Sequence, residues 1–172
     1  MMNNANPFVA VLMGSDSDLD TMQGCLDVLG RLDVPCEVHI TSAHRTPEMT
    51  RNYVNDAERR GCSVFIAAAG MAAHLAGAVA AQTICPVIGV PIAAGPLKGM
   101  DALLSTVQMP AGVPVASVAI GNAGARNAAF LAAQMLGLAD SGLSERLRAD
   151  RETSAASVAA KDRALQKTLQ SG

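Results

Sequence analysis

Tryptophan is absent from this 172-residue chain, and Tyr53, Phe8, Phe65 and Phe130 are its only aromatic residues. Proteins that hold single-stranded nucleic acid stack bases on aromatic rings, and four scattered rings do not make such a platform. A basic surplus is missing too. Thirteen Lys and Arg stand against fifteen Asp and Glu, a formal charge of -2, so nothing is left over to neutralise a phosphate backbone. Nucleic acid is excluded as a partner.

Paired cysteines are lacking as well. Cys25, Cys36, Cys62 and Cys85 lie far apart, with no Cys-x-x-Cys and no zinc-like spacing, and read as reduced, buried thiols rather than a disulfide framework. From Met1 to Pro7 no basic stretch precedes an apolar run, so no secretory signal is read there and the chain is expected in the cytoplasm. Charge disappears altogether from Gly61 to Leu97. Pro86, Pro91 and several glycines break that span, which rules out a continuous membrane helix of ~20 residues.

Half of the residues are hydrophobic, and with so few rings the core must be built from Ala, Val, Leu, Ile and Met. The length suits one domain whose core needs no staples, here 1–139, followed by a polar tail, 140–172. Phe8 to Met13 is a short apolar run, then a polar turn, then a helical pattern through Leu19, Met22, Leu26 and Leu29 to about Leu32. The same unit recurs. Strands are expected at Cys36 to Thr41, Ser63 to Ala68, Pro86 to Val90 and Val115 to Ile120. Helices are expected from Thr46 to Arg60, from the loop Ala69 to Ala73 as far as Gln82, over Asp101 to Val107, and over Ala123 to Leu136. Five strands alternating with helices imply an α/β protein with a parallel sheet in the flavodoxin-like order 2-1-3-4-5, helices on both faces. The tail, with its many charges among alanines, reads as a helical extension that reaches over a neighbouring subunit or frays in solvent.

In such a sheet the carboxyl ends of the strands share one edge, where ligands bind. Three polar stretches end there: Gly14 to Asp18, Ser42 to Arg45 and Ala69 to His74. In Ser42-Ala43-His44-Arg45-Thr46-Pro47, Thr46 suits a helix N-cap and Pro47 the first helical position. Ser42, His44 and Arg45 then sit beside the positive end of a helix dipole, a favourable place for a phosphorylated small substrate. The plainer reading leaves Arg45 paired with a surface carboxylate and His44 as an ordinary loop residue.

Gly14-Ser15-Asp16-Ser17-Asp18 is neither G-x-G-x-x-G nor a P-loop, which disfavours dinucleotide and NTP chemistry. It can hold a phosphate on hydroxyls and N–H groups, with Asp18 accepting from ribose hydroxyls, or Ser15 and Asp16 can simply cap a helix. His74, alone in an apolar segment, reads first as a satisfied core or interface residue. His44, His74 and Asp18 have the ligand types of a metal site, but no His-x-x-x-His or Glu-x-x-His spacing supports one. No Gly-x-Ser-x-Gly elbow offers a serine nucleophile, whereas an imidazole is the side chain best suited to give and take protons, which makes His44 the candidate for proton transfer. Two nearly uncharged helices, Ala72 to Gln82 and Ala123 to Leu136, need more cover than one small domain supplies, so a homo-oligomer is expected.

Taken in order, Gly14-Ser15-Asp16-Ser17-Asp18, Ser42-Ala43-His44-Arg45-Thr46-Pro47, Ala72-Ala73-His74-Leu75, Val107-Gln108-Met109-Pro110 and Gly112-Val113-Pro114-Val115 resemble the hallmarks of the 5-(carboxyamino)imidazole ribonucleotide mutase family of purine biosynthesis. The resemblance covers roughly Val9 to Leu138. It implies a flavodoxin-like three-layer sandwich with a C-terminal helical extension, assembled as a homo-octamer, with no metal or organic cofactor. It implies transfer of a carboxylate from the exocyclic nitrogen of the ribonucleotide to ring carbon 4. By similarity Ser15, Asp18 and Arg45 bind the ribose phosphate with help from Ser42. His44 is then the proton shuttle, and His74 and the backbone around Gly70 border the base and carboxylate. A sister group that carboxylates aminoimidazole ribonucleotide with free CO2 carries His-Lys where this chain has His44-Arg45. The other rivals are a noncatalytic sensor of a phosphorylated metabolite and a metal-dependent hydrolase. Two departures flank His74: Met71 stands where the family commonly has Gly, and Ala76 where it commonly has Pro.

Overall fold

A computed structural model describes residues 7–170. Its elements run β1 (Phe8–Met13), a 3-10 turn (Asp16–Asp18), α1 (Leu19–Arg31), β2 (Cys36–Ile40), α2 (Pro47–Arg59), β3 (Cys62–Gly70) and α3 (Leu75–Ala80), followed by β4 (Val87–Ile92), α4 (Met100–Val107), β5 (Ala116–Ser117), α5 (Asn122–Gly137) and α6 (Ser141–Gln170). The sheet is parallel in the order β2-β1-β3-β4-β5, as the alternating pattern requires.

Alternation along β1 assigns the layers. Val9, Val11 and Met13 face α1 and α5, joining Met22, Val28, Leu29, Ala128 and Ala132 in one core. Ala10 and Leu12 face the other way, onto Val54 and Ala57 of α2 and Leu75 and Val79 of α3. Small residues let the second core close tightly: a Cβ at Gly89 would lie 2.9 Å from Val115 and 3.4 Å from Ala76. The result is a three-layer sandwich of helices, sheet and helices.

Several sequence expectations need correction. β5 is two residues long rather than Val115 to Ile120. Beyond it the chain donates from Val118 N–H to the Gly89 carbonyl and from Gly121 N–H to the Pro91 carbonyl, but Pro91 has no N–H to return, so the ladder cannot continue. β3 and β4 run on to Gly70 and Ile92, past the expected ends, while α3 stops at Ala80, short of Gln82. Thr46 is the N-cap residue of α2 but makes no side-chain cap; its hydroxyl accepts from Ser42 N–H at 2.9 Å instead. Of the four thiols only Cys25 and Cys62 are buried; Cys85 is half-buried and Cys36, on the edge strand β2, is exposed.

The reading of Met1 to Pro7 falls almost wholly outside the described residues. α5 is better covered within one chain than its composition suggests, since α1, the sheet and the start of α6 bury its alanine face. Large apolar side chains remain exposed on α4 instead, where Met100, Leu104 and Val107 recur at helical spacing beside Leu97. α6 is anchored by buried Leu143, by Arg146 donating to the Leu32 carbonyl at 2.8 Å and by the Arg31–Asp150 ion pair at 2.8 Å. From Arg151 onward its described residues are all exposed. Among the described residues no helix is long and apolar enough to cross a membrane.

Candidate active site

The loops after β1, β2 and β3 meet at the carboxyl edge of the sheet around a cavity of about 240 Å3. Its lining includes every residue singled out from the sequence: Ser15, Asp18, Ser42, His44, Arg45, Gly70 and His74. Ala94, from the loop after β4, and Met71 complete the rim.

One wall is the turn after β1. Ser15 caps it: its hydroxyl accepts from Ser17 N–H at 3.3 Å, while the Asp18 carboxylate accepts from Ser15 N–H at 3.1 Å. The Ser15 and Ser17 hydroxyls are 2.9 Å apart. The capping reading holds, and Ser15 and Asp18 of the capping box also line the cavity, as does Ser17, whereas Asp16 does not. Asp18 is buried, and burial pushes its carboxyl above the usual carboxylate range against the lowering pull of the Ser15 and Gly14 N–H groups.

The opposite wall rests on the hydroxyls of Thr41 and Thr50, which sequence reasoning missed, and of Thr46, which it read only as a helix cap. Buried Thr41 and Thr50 share a hydrogen bond of 2.7 Å, and Thr46 lies 3.3 Å from Thr41. Thr46 and Ser42 then close the turn, Thr46 N–H donating to the Ser42 carbonyl at 2.9 Å and Arg45 N–H to the Ser42 hydroxyl at 3.2 Å. No short pattern announces three threonines that meet only after β2 and α2 have packed.

That turn presents His44 to the cavity, where its Nε2 lies 2.7 Å from Nδ1 of His74, the rings nearly perpendicular at 79°. The two nitrogens share a single proton, so one ring donates and the other accepts. His74 is thus exposed at the site and paired with His44, not buried in the core of the chain. Among the described residues no carboxylate lies within 4.0 Å of the Arg45 guanidinium, so the plain ion-pair reading fails and its donor fork is open to an anion. No group of three or more His, Cys, Asp or Glu among the described residues is arranged to hold a metal ion, and His44, His74 and Asp18 do not form one. His39, in β2, faces Tyr53 and Glu37 away from the cavity.

The chain also resembles known proteins. Residues 8–157 match the family described as AIR carboxylase. A relative from Mycobacterium tuberculosis H37Rv is 54% identical over 161 residues, 94% of this chain and 91% of that protein. One from Bacillus subtilis is 51% identical, covering 88% of this chain and 94% of that protein, and one from Escherichia coli K12 is 50% identical, covering 86% and 88%. All three are named N5-carboxyaminoimidazole ribonucleotide mutase. The crystal structure of Treponema denticola PurE superposes with a TM-score of 0.83 at 27% identity, covering 92% of this chain and 98% of that one. Matched by one family model over residues 8–157 and about half identical to these relatives over most of its length, the chain belongs to the AIR carboxylase family.

Proposed function

We propose that this protein is an N5-carboxyaminoimidazole ribonucleotide mutase, moving the substrate's carboxylate from its exocyclic nitrogen to carbon 4 of the ring in purine biosynthesis. The observation that carries the reading is the His44–His74 contact at the mouth of a cavity whose other wall is a hydroxyl- and N–H-rich turn. The mutase names of relatives at about half identity favour it over direct carboxylation with free CO2.

Arg45, Ser15 and Asp18 hold the ribose phosphate, Ser42 assisting, so that the imidazole base lies against Gly70 and His74. Protonated His44 gives its proton to the exocyclic nitrogen as the C–N bond breaks and CO2 leaves. Carbon 4 then attacks the CO2, and the proton lost from carbon 4 returns to His44. One imidazole serves both halves, and no net proton is consumed. Neither half calls on a metal or organic cofactor. The His74 contact orients His44 by fixing which of its nitrogens carries the proton.

Copies of the chain assemble, as an octamer, through the apolar faces that a single subunit leaves bare, Met100, Leu104 and Val107 of α4 among them. The enzyme works in the cytoplasm, where its four cysteines stay free. Purified protein is expected to interconvert the two carboxylated ribonucleotides, followed by ultraviolet absorbance, without added bicarbonate and after exhaustive chelation. Light scattering is expected to give the mass of eight chains. A protein that forms product only from aminoimidazole ribonucleotide and CO2, or none at all, overturns the assignment.

A further inference from the structure

Strands of a parallel sheet are normally covered on both faces by the helices of their crossovers. β1 and β4 follow that rule, every residue of each being buried. β2 does not: Cys36, Val38, His39 and Ile40 are exposed, and only Glu37 is half-buried. Val38 and Ile40 keep 39% and 50% of their surface open, although both are large and apolar. β2 packs on β1, and α2 reaches it chiefly through Tyr53, which touches Glu37 and His39.

The same strand is the free edge of the sheet. At its two ends the Pro35 carbonyl accepts from Val9 N–H, and Thr41 N–H donates to the Met13 carbonyl. Backbone groups alternate along a strand, so Pro35, Glu37, His39 and Thr41 turn theirs toward β1, and Cys36, Val38 and Ile40 turn theirs outward. Proteins guard such an edge with lysine, proline, a bulge or a very short strand. The opposite edge is guarded, since β5 is only two residues long. β2 has five residues in unbroken register with β1, and neither Lys nor Pro among them.

We infer that β2 is a docking edge for a second copy of this chain: two β2 strands pair antiparallel about a two-fold axis at Val38 and join two five-stranded sheets into one. The inference rests on the reading that copies of the chain assemble. What selects the partner is the strand's own order of residues. Reversed about Val38, Cys36-Glu37-Val38-His39-Ile40 sets Val38 beside Val38 of the second copy, Cys36 beside its Ile40 and Glu37 beside its His39. The outward-turned Cys36, Val38 and Ile40 then fall at the positions that exchange two hydrogen bonds each. Glu37 and His39 fall at the alternate positions, where facing side chains lie closer. The Arg60 guanidinium, with the Tyr53 hydroxyl assisting, holds the Glu37 carboxyl below the usual carboxylate range, so an ionised acceptor faces the ring N–H of the second copy's His39. On the other face Cys36, Val38 and Ile40 cover their counterparts. A two-fold pair uses up both free edges, so the contact closes and does not grow into a filament.

The test places Val38→Cys and His39→Cys separately in Cys36→Ser protein and oxidises each with diamide. Thiols introduced at position 38 stand on Cα atoms about 5.5 Å apart across the axis, within disulfide reach, whereas those at position 39 are two residues out of step and too distant. Non-reducing denaturing gels are expected to show Val38→Cys as a covalent dimer and His39→Cys as a single chain. Linking of both to the same extent, or of neither, overturns the inference. Val38→Lys, which sets two like charges against each other at the axis, is expected to halve the mass measured by light scattering, and an unchanged mass from folded protein overturns the inference too. A wild type that scatters as a single chain overturns the assembly and this inference with it, an outcome distinct from an eight-chain wild type whose Val38→Cys variant fails to link.

Discussion

Along the Gly14–Asp18 wall of the cavity, every side-chain hydrogen bond joins residues no more than three apart. Across from it, His44 meets His74 thirty positions away, and the turn that presents His44 stands on a threonine cluster spanning β2 and α2. The first wall is made by a few residues satisfying one another's N–H groups and hydroxyls, a local product that forms wherever the turn forms. The second exists only once the sheet has brought two loops together. We expect the first only to grip and the second, where His44 sits beside Arg45, to react as well, and damage to each to look different.

Removing the proton carrier has the largest expected effect. His44→Asn should lower turnover by roughly 10²- to 10⁴-fold, the range for loss of a general acid–base, with ribonucleotide affinity by calorimetry nearly unchanged. Undiminished turnover would reject the division of labour. Thr46→Val attacks the scaffold beneath the same wall. It leaves the Ser42 N–H without its acceptor, which should destabilise the fold by about 1–3 kcal/mol and lower kcat more than affinity. A thermal melt and a substrate titration on one preparation separate the two effects.

Ser15→Ala touches only the gripping wall. Loss of its cap should cost about 1 kcal/mol of stability and weaken substrate binding, with kcat at saturation little changed. A fall in kcat as large as that of Thr46→Val would erase the distinction between the walls. The smallest effect is a pH slope. Burial raises the Asp18 carboxyl above its ordinary 3.8, so the folded protein keeps that proton to a higher pH than the unfolded chain does. Its contribution is fully present below 3.8 and is lost as pH rises through the raised value, stability falling across that window. Asp18→Asn should flatten the fall in denaturant midpoints measured from pH 3 to 7, and a slope identical to wild type would show that Asp18 does not titrate there.

Much of the architecture could be read before any coordinates. The apolar run Phe8 to Met13 and the spacing of Met22 and Leu29 are local signals, and parallel strands with crossovers leave few orders to choose among. β5 could not be read as short, because Val115 to Ile120 has a strand's composition and its limit lies in Pro91 of the neighbouring strand. Thr46 carried an N-cap signature, yet its hydroxyl is taken by Ser42, a competition that composition does not reveal. Cys36 is apolar enough for a core, but it lies on an edge strand whose outer side has no neighbour.

From residue order alone came the repeating strand–turn–helix unit, hence the strand sequence across the sheet, and with it the meeting of Ser15, His44 and His74 at one edge. Periodicity and turn chemistry act within a few residues, and handedness then leaves little freedom in how the units join. Tertiary packing decided the rest: which histidine nitrogens face each other and where the threonine hydroxyls are spent. Those are distances between segments remote in sequence, set only when the whole sheet and its helices have closed around one another.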